Sequence, residues 1–133
     1  MLRKIDRLDQ IMRYSKEVLN YFFDTQHVGM LEKVDPNVKK GEIGARDQGY
    51  LFRLYIRYDC NKISEAKFQA YGSVTATAAC EYVCRFLKNK TFEEAGQLTA
   101  IQIQKALNLS IFEAHAAALI ERLCKKTLEE KCS

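Results

Sequence analysis

The chain has little of what redox, membrane or nucleic-acid proteins are built from. Its five cysteines, Cys60, Cys80, Cys84, Cys124 and Cys132, are odd in number and include no Cys-x-x-Cys pair, which suits a reducing compartment better than a disulfide framework. No apolar run approaches the length that crosses a bilayer, so membrane insertion is not expected. The first residues, Met1 to Asp9, hold basic side chains but no apolar core and no small-residue cleavage site. Asp6 and Asp9 also speak against a transit peptide, so a cytoplasmic address is expected. The net charge of +4 is modest, and short pairs such as Lys39-Lys40 and Lys125-Lys126 form no stripe with interleaved aromatics. A nucleic-acid partner is therefore not expected. Repeats and low-complexity tracts are missing, and proline occurs once, at Pro36.

What is present is regular. A length of 133 residues suffices for one domain with a proper core, expected over residues 1–133 with a short helical extension at 1–13. Ile5, Leu8, Ile11, Met12, Val18, Leu19 and Phe22 recur at steps of three and four and predict a long opening helix ending near Asp24. Asp35-Pro36-Asn37 predicts a turn, and Gly41 to Ala45 a short strand. From Leu51 the period becomes two: Phe52, Leu54, Ile56 and Tyr58 alternate with Arg53, Tyr55 and Arg57. After the turn residues Asp59-Cys60-Asn61-Lys62, the residues Ala66, Phe68 and Ala70 face one way, which predicts an antiparallel hairpin. Ala76, Ala79, Cys80, Val83 and Leu87 form a helical stripe. Capping boxes at Thr91 with Glu94, Thr99 with Gln102 and Ser110 with Glu113 then start three more helices. The expected class is α+β, a three-stranded antiparallel sheet packed by an N-terminal helix and about four C-terminal helices.

Three segments carry a family likeness: Gly44-Ala45-Arg46-Asp47-Gln48-Gly49-Tyr50, Tyr71-Gly72-Ser73-Val74 and Leu109 to Ala116. They resemble the cluster-holding loops of the IscU/NifU N-terminal type of iron-sulfur assembly scaffold, a likeness that runs from about Tyr14 to the end of the last helix. In that family the loops read Gly-Ala-Pro-x-Cys-Gly-Asp, Tyr-Gly-Cys-Gly and Leu-Pro-Pro-Val-Lys-x-His-Cys. Here the three cysteine positions hold Gln48, Ser73 and Ala116, the acidic position holds Tyr50, and only His115 is kept. Amide, hydroxyl and methyl groups do not replace thiolates toward iron and sulfide, and none accepts a persulfide sulfur. The resemblance thus implies the scaffold fold, while the loop residues lead one to expect no bound cofactor: no iron-sulfur cluster, and at most weak zinc or iron.

Each candidate has a plain structural alternative. His115 is a possible metal ligand, with Asp47 a weak second, but a partly buried polar histidine is the simpler reading. Cys80 and Cys84 lie on neighbouring turns and could bind metal, yet Cys80 belongs to the apolar stripe. Cys60 falls in the hairpin turn and is expected to be an exposed thiol. Gly49 and Gly72 serve loop geometry, and Ser73 has no neighbouring base, so no enzymatic chemistry is expected. The opening segment around Tyr14 and Tyr21, with Val28-Gly29, resembles the family's helix and turn that contribute to contacts with the cysteine desulfurase. The alternative is that it packs the fold.

The function expected from these residues is a non-catalytic adaptor or regulator. It would bind a protein partner, a cysteine desulfurase or another complex subunit, through an apolar patch of Tyr50, Val74, Ala116 and Phe112 or through Tyr14 and Tyr21. The alternative is a working scaffold or metal-binding protein with ligands relocated to Asp47, His115 and a helix cysteine.

Overall fold

The structure is a computed structural model that describes residues 13–130 apart from Lys33. The extension expected over 1–13 and the positions Ile5, Leu8, Ile11 and Met12 lie almost wholly outside the described residues. The opening helix, α1, spans Lys16–Phe23 and ends at Asp24 as its period predicts. It does not run on unbroken from the earlier apolar positions. Ser15 takes an extended conformation and its hydroxyl accepts from the Val18 amide at 3.0 Å, so a cap begins the helix there.

The sheet has order β1-β2-β3, with β1 at Val38–Ala45, β2 at Tyr50–Asp59 and β3 at Lys62–Tyr71, antiparallel throughout. The first strand begins three residues before its sequence signal, because Val38, Lys39 and Lys40 pair with Arg57, Ile56 and Tyr55 of an already specified neighbour. Phe52, Leu54, Ile56, Ala66 and Phe68 point to one face and are buried there, while Ala70, expected with them, is exposed near the strand end. Tyr55 departs from the predicted alternation. It is buried on the opposite face with Leu31 and Val38, and its hydroxyl donates to Gln69 Oε1 at 2.9 Å. The segment that leaves α1 explains this: it docks on β3, with the Phe68 amide donating to the His27 carbonyl and the Gly29 amide to the Phe68 carbonyl, each at 2.8 Å.

Four helices follow: α2 at Val74–Leu87, α3 at Phe92–Gly96, α4 at Ala100–Ala106 and α5 at Ala114–Glu129. The stripe Ala76, Ala79, Cys80, Val83 and Leu87 is buried with Ile120, Leu123 and Cys124 of α5 over the strands' apolar face. Burying a side chain such as Phe68 or Leu54 there contributes roughly 1.5–3 kcal/mol. The α5 helix comes close enough to β1 that a Cβ on Gly41 would stand 2.1 Å from Thr127 Oγ1, so only glycine fits. Of the three capping boxes, Thr91 with Glu94 is reciprocal. At Thr99 the hydroxyl accepts from the Gln102 amide at 3.2 Å, while the Gln102 side chain turns to Tyr82 and donates to its hydroxyl at 3.4 Å. At Ser110 the box closes a single 3₁₀ turn, Ile111–Glu113, that leads into α5.

Candidate functional site

The three family-like segments meet at one end of the sheet. After β1 the chain makes a 3₁₀ turn, Arg46–Gln48, and Gly49, at φ +89°, turns it into β2. Gly44, at φ +87°, is required twice over: its backbone is left-handed, and a Cβ would lie 2.5 Å from the Tyr50 ring. Ser73 is the N-cap of α2, its hydroxyl accepting from the Ala76 amide at 3.0 Å. That bond gives the hydroxyl a structural task where a thiol would be expected. The second and third segments are tied by Thr75, whose hydroxyl donates to Glu113 Oε2 at 2.7 Å. Between them lies an open cleft of about 570 Å³ lined by Gly49, Tyr50, Phe52, Ser73, Ala76, His115, Ala116, Ala118, Leu119 and Arg122.

Several sequence candidates line that cleft and others do not. Tyr50, half-buried, stacks toward Phe52 with ring centroids 6.1 Å apart. His115 is exposed, which corrects the expectation of a partly buried histidine: Ala116 and Ala117 take the inward positions of the first turn of α5 and leave His115 facing water. Asp47 and Gln48 are exposed on the 3₁₀ turn and are not among the lining residues. Of the expected patch of Tyr50, Val74, Ala116 and Phe112, Tyr50 and Ala116 line the cleft, while Val74 is half-buried against the core. Phe112 and Ile111 instead stand 86% and 80% exposed on the neighbouring turn. Tyr14 and Tyr21 pack against the core, and Tyr21 lies edge-on to Tyr82 at 5.8 Å with the Arg85 guanidinium over its ring.

The thiols divide sharply. Cys60 is exposed in the hairpin at φ +59°. Cys80, Cys84 and Cys124 are buried, and desolvation raises all three thiols, Cys124 to about 12, which keeps them protonated at neutral pH. Among the described residues no group of three or more His, Cys, Asp and Glu side chains is placed to hold a metal ion. The cleft itself therefore offers an imidazole and no thiolate.

Two features escaped the sequence reading. Arg122 had no motif to mark it, although its spacing of seven from His115 places both on one face of α5. Glu81 sits in the buried stripe of α2 as a full carboxylate. It accepts from the Gln26 amide at 2.8 Å, the His27 amide at 3.0 Å, His27 Nδ1 at 2.6 Å and Arg85 Nε at 2.7 Å. The Glu-Arg spacing of four was its only sequence signal.

Comparison with known proteins adds the rest. The family described as NifU-like N terminal domain matches residues 13–130. The iron-sulfur cluster assembly scaffold protein IscU of Haemophilus influenzae is 35% identical over 120 residues, covering 90% of this chain and 95% of that protein. The mitochondrial iron sulfur cluster assembly protein 1 of Schizosaccharomyces pombe is 35% identical over 117 residues, 87% of this chain and 61% of the relative. The crystal structure of a nitrogen-fixing NifU-like protein (N-terminal) from Brucella abortus has a TM-score of 0.66 at 12% identity, covering 85% of this chain and 90% of that one, a likeness of fold. These relatives overturn the expectation that no cofactor belongs with this chain, since proteins named as iron-sulfur cluster scaffolds match nearly all of it. The cleft residues do not fit a cluster held by this chain alone, because a single imidazole leaves the other positions on the irons without thiolates. The cytoplasmic expectation reduces to the fact that no helix among the described residues is long and apolar enough to cross a membrane, and the Schizosaccharomyces pombe relative is named as mitochondrial.

Proposed function

The chain belongs to the family of NifU-like N-terminal domains, and from that premise we propose that it works in iron-sulfur cluster assembly as a scaffold whose cargo is held jointly. The supporting observation is the convergence of all three family-like segments on one open cleft with His115 at its rim and no thiol in its lining. Imidazole is an accepted iron ligand in place of thiolate in some clusters, so His115 supplies one position and thiolates from another molecule supply the rest. The chain's own residues position that meeting: Gly44 and Gly49 shape the first loop, Ser73 fixes the start of α2, and Tyr50 with Leu119 keeps the cleft wall apolar. Relocation of ligands to helix cysteines has no support in the geometry, given the burial of Cys80, Cys84 and Cys124.

Anaerobic reconstitution with iron and sulfide tests the proposal. Stoichiometric iron, sulfide and a visible absorbance band should stay with the protein only when a thiol is supplied, and His115→Ala should abolish the band. A band formed without added thiol would show a complete ligand set on the chain, and no band under either condition would end the scaffold reading.

A second reading concerns the partner, and the exposure of Ile111 and Phe112 beside the cleft favours it. Large apolar side chains so exposed are anchors of protein contacts, and a cysteine desulfurase is the partner we propose for them. Phe112→Asp should leave the melting temperature unchanged and weaken desulfurase capture by about 1 to 3 kcal/mol. Equal capture by both forms would remove this turn from the interface.

A further inference from the structure

The sheet ends in an open edge. In the order β1-β2-β3 the outer side of β1 pairs with no strand among the described residues. Three bonds show which groups face outward there. The Asn37 carbonyl accepts from the Tyr58 amide of β2, the Val38 amide turns away to the Asp35 carbonyl, and the Glu42 carbonyl accepts from Lys126 Nζ at 2.9 Å. Bonding groups alternate along an antiparallel strand, so Lys39, Gly41 and Ile43 face β2 while the amides and carbonyls of Lys40 and Glu42 face out. Alongside runs a groove of about 280 Å³ lined by Lys40, Glu42, Lys126 and Glu130. Its two bases and two acids balance, in a chain whose net charge is +4. An edge strand is commonly guarded by unmatched lysines. Lys39 gives no such protection, because its Nζ donates to the Leu128 carbonyl at 3.0 Å and lies 5.0 Å from the Phe92 ring centre.

We infer that this edge pairs with the same edge of a second copy, β1 against β1 in antiparallel register about Gly41, which joins the two three-stranded sheets into one. Parity and charge select that register. A two-fold contact makes every cross-chain pair twice, so Lys40 of each copy stands opposite Glu42 of the other, on the sheet face away from α5. Both residues bond outward, so each such pair exchanges two backbone hydrogen bonds. Gly41 meets its counterpart on the axis at the closer, non-bonded spacing, where it has no side chain to obstruct the approach. Registers that set Lys40 against Lys40 or Glu42 against Glu42 keep this bonding parity but oppose like charges. Lys126 does not close the edge, since its side chain is exposed and the Glu42 carbonyl has a second lone pair. One strand from each copy makes a small contact, so the association is weak and concentration-dependent. It does not depend on what the cleft holds.

Sedimentation equilibrium of the full chain, from micromolar to millimolar concentration, tests this. Wild type should pass from monomer to dimer over that range. Lys40→Glu and Glu42→Lys should each weaken self-association about tenfold or more, because each sets like charges opposite one another at two positions. An equimolar mixture of the two variants should associate at least as well as wild type, since every cross-chain pair is then acid against base. Amide hydrogen exchange needs no variant: the Lys40 and Glu42 amides should become protected only at concentrations where the dimer forms. A wild type that stays monomeric, a dimer unmoved by Lys40→Glu, or a mixture no better than its components overturns the inference. A dimer lost in Phe112→Asp and kept in Lys40→Glu also overturns it and puts the contact at the cleft end. Protection of the Lys40 and Glu42 amides in dilute monomer overturns it too, because the chain itself then covers the edge.

Discussion

Glu81→Ala is the substitution whose consequence the structure fixes most tightly. The carboxylate is fully buried in α2 and gathers four donors: the Gln26 and His27 amides, the His27 ring and Arg85. It thereby clamps the segment between α1 and the sheet onto α2. Removing it leaves two backbone amides and the His27 ring without their acceptor, and leaves Arg85 paired with Asp24 alone. The His27 and Arg85 side chains are 21% and 35% exposed, so water recovers part of what they lose. The expected cost is about 3 to 5 kcal/mol, a third or more of the stability of an ordinary domain and roughly 10 to 20 °C in melting temperature. Glu81→Gln keeps an acceptor for the amides and should cost about 1 to 2 kcal/mol. The carboxylate also sets a pH dependence. Burial by itself would raise its pKa, but the bonds from Arg85, His27 and Gln26 outweigh that and hold it below the usual carboxylate value. A depressed folded value means stabilisation that is complete above the unfolded pKa and is lost as pH falls through the folded one. Wild-type stability should therefore decline below about pH 4, and the decline should be shallower in Glu81→Gln. Urea unfolding followed by circular dichroism across pH 3 to 7 measures both effects. A loss under about 1 kcal/mol for Glu81→Ala at pH 7 would refute the clamp.

Other consequences are simpler. Ser73→Ala removes the cap of α2 and should cost about 1 kcal/mol in urea unfolding, while Ser73→Gly should cost only a few tenths. Among Cys60, Cys80, Cys84 and Cys124, native-state alkylation mapped by peptide mass should mark Cys60 within minutes and the other three only in denaturant, because burial both covers them and keeps them protonated. Gly41→Ala should destabilise by about 1 to 3 kcal/mol through its clash with Thr127, a loss read from the shift of the urea midpoint.

The residues at the loop end have tasks within the fold itself. Ser73 caps a helix, Tyr50 fills the space against Gly44, and Ala116 turns inward at the base of the cleft. Each side chain has a packing or hydrogen-bonding task that needs no metal. The loop geometry can therefore persist without a ligand to organise it.

Local signals determined the elements because those signals are periodic. The alternation from Phe52 to Ile56, the stripe from Ala76 to Leu87 and the hydroxyls at Thr91, Thr99 and Ser110 place the strands and helices where they are found. The three loop segments, and the thiols missing from them, were equally legible, since each is contiguous in the chain. Tertiary contact decided what pattern could not carry. Tyr55 is inside because a distant segment crosses the second face of the sheet, and β1 starts at Val38 because β2 offers it partners. His115 is outside because two alanines take the core positions of its helical turn. Glu81 finds its donors 54 and 55 residues earlier in the chain, and Arg122 faces the cleft only because α5 lies across the loop end. Period and capping are written within a few residues of one another, whereas a buried charge or a cleft wall depends on which separate elements the fold brings together.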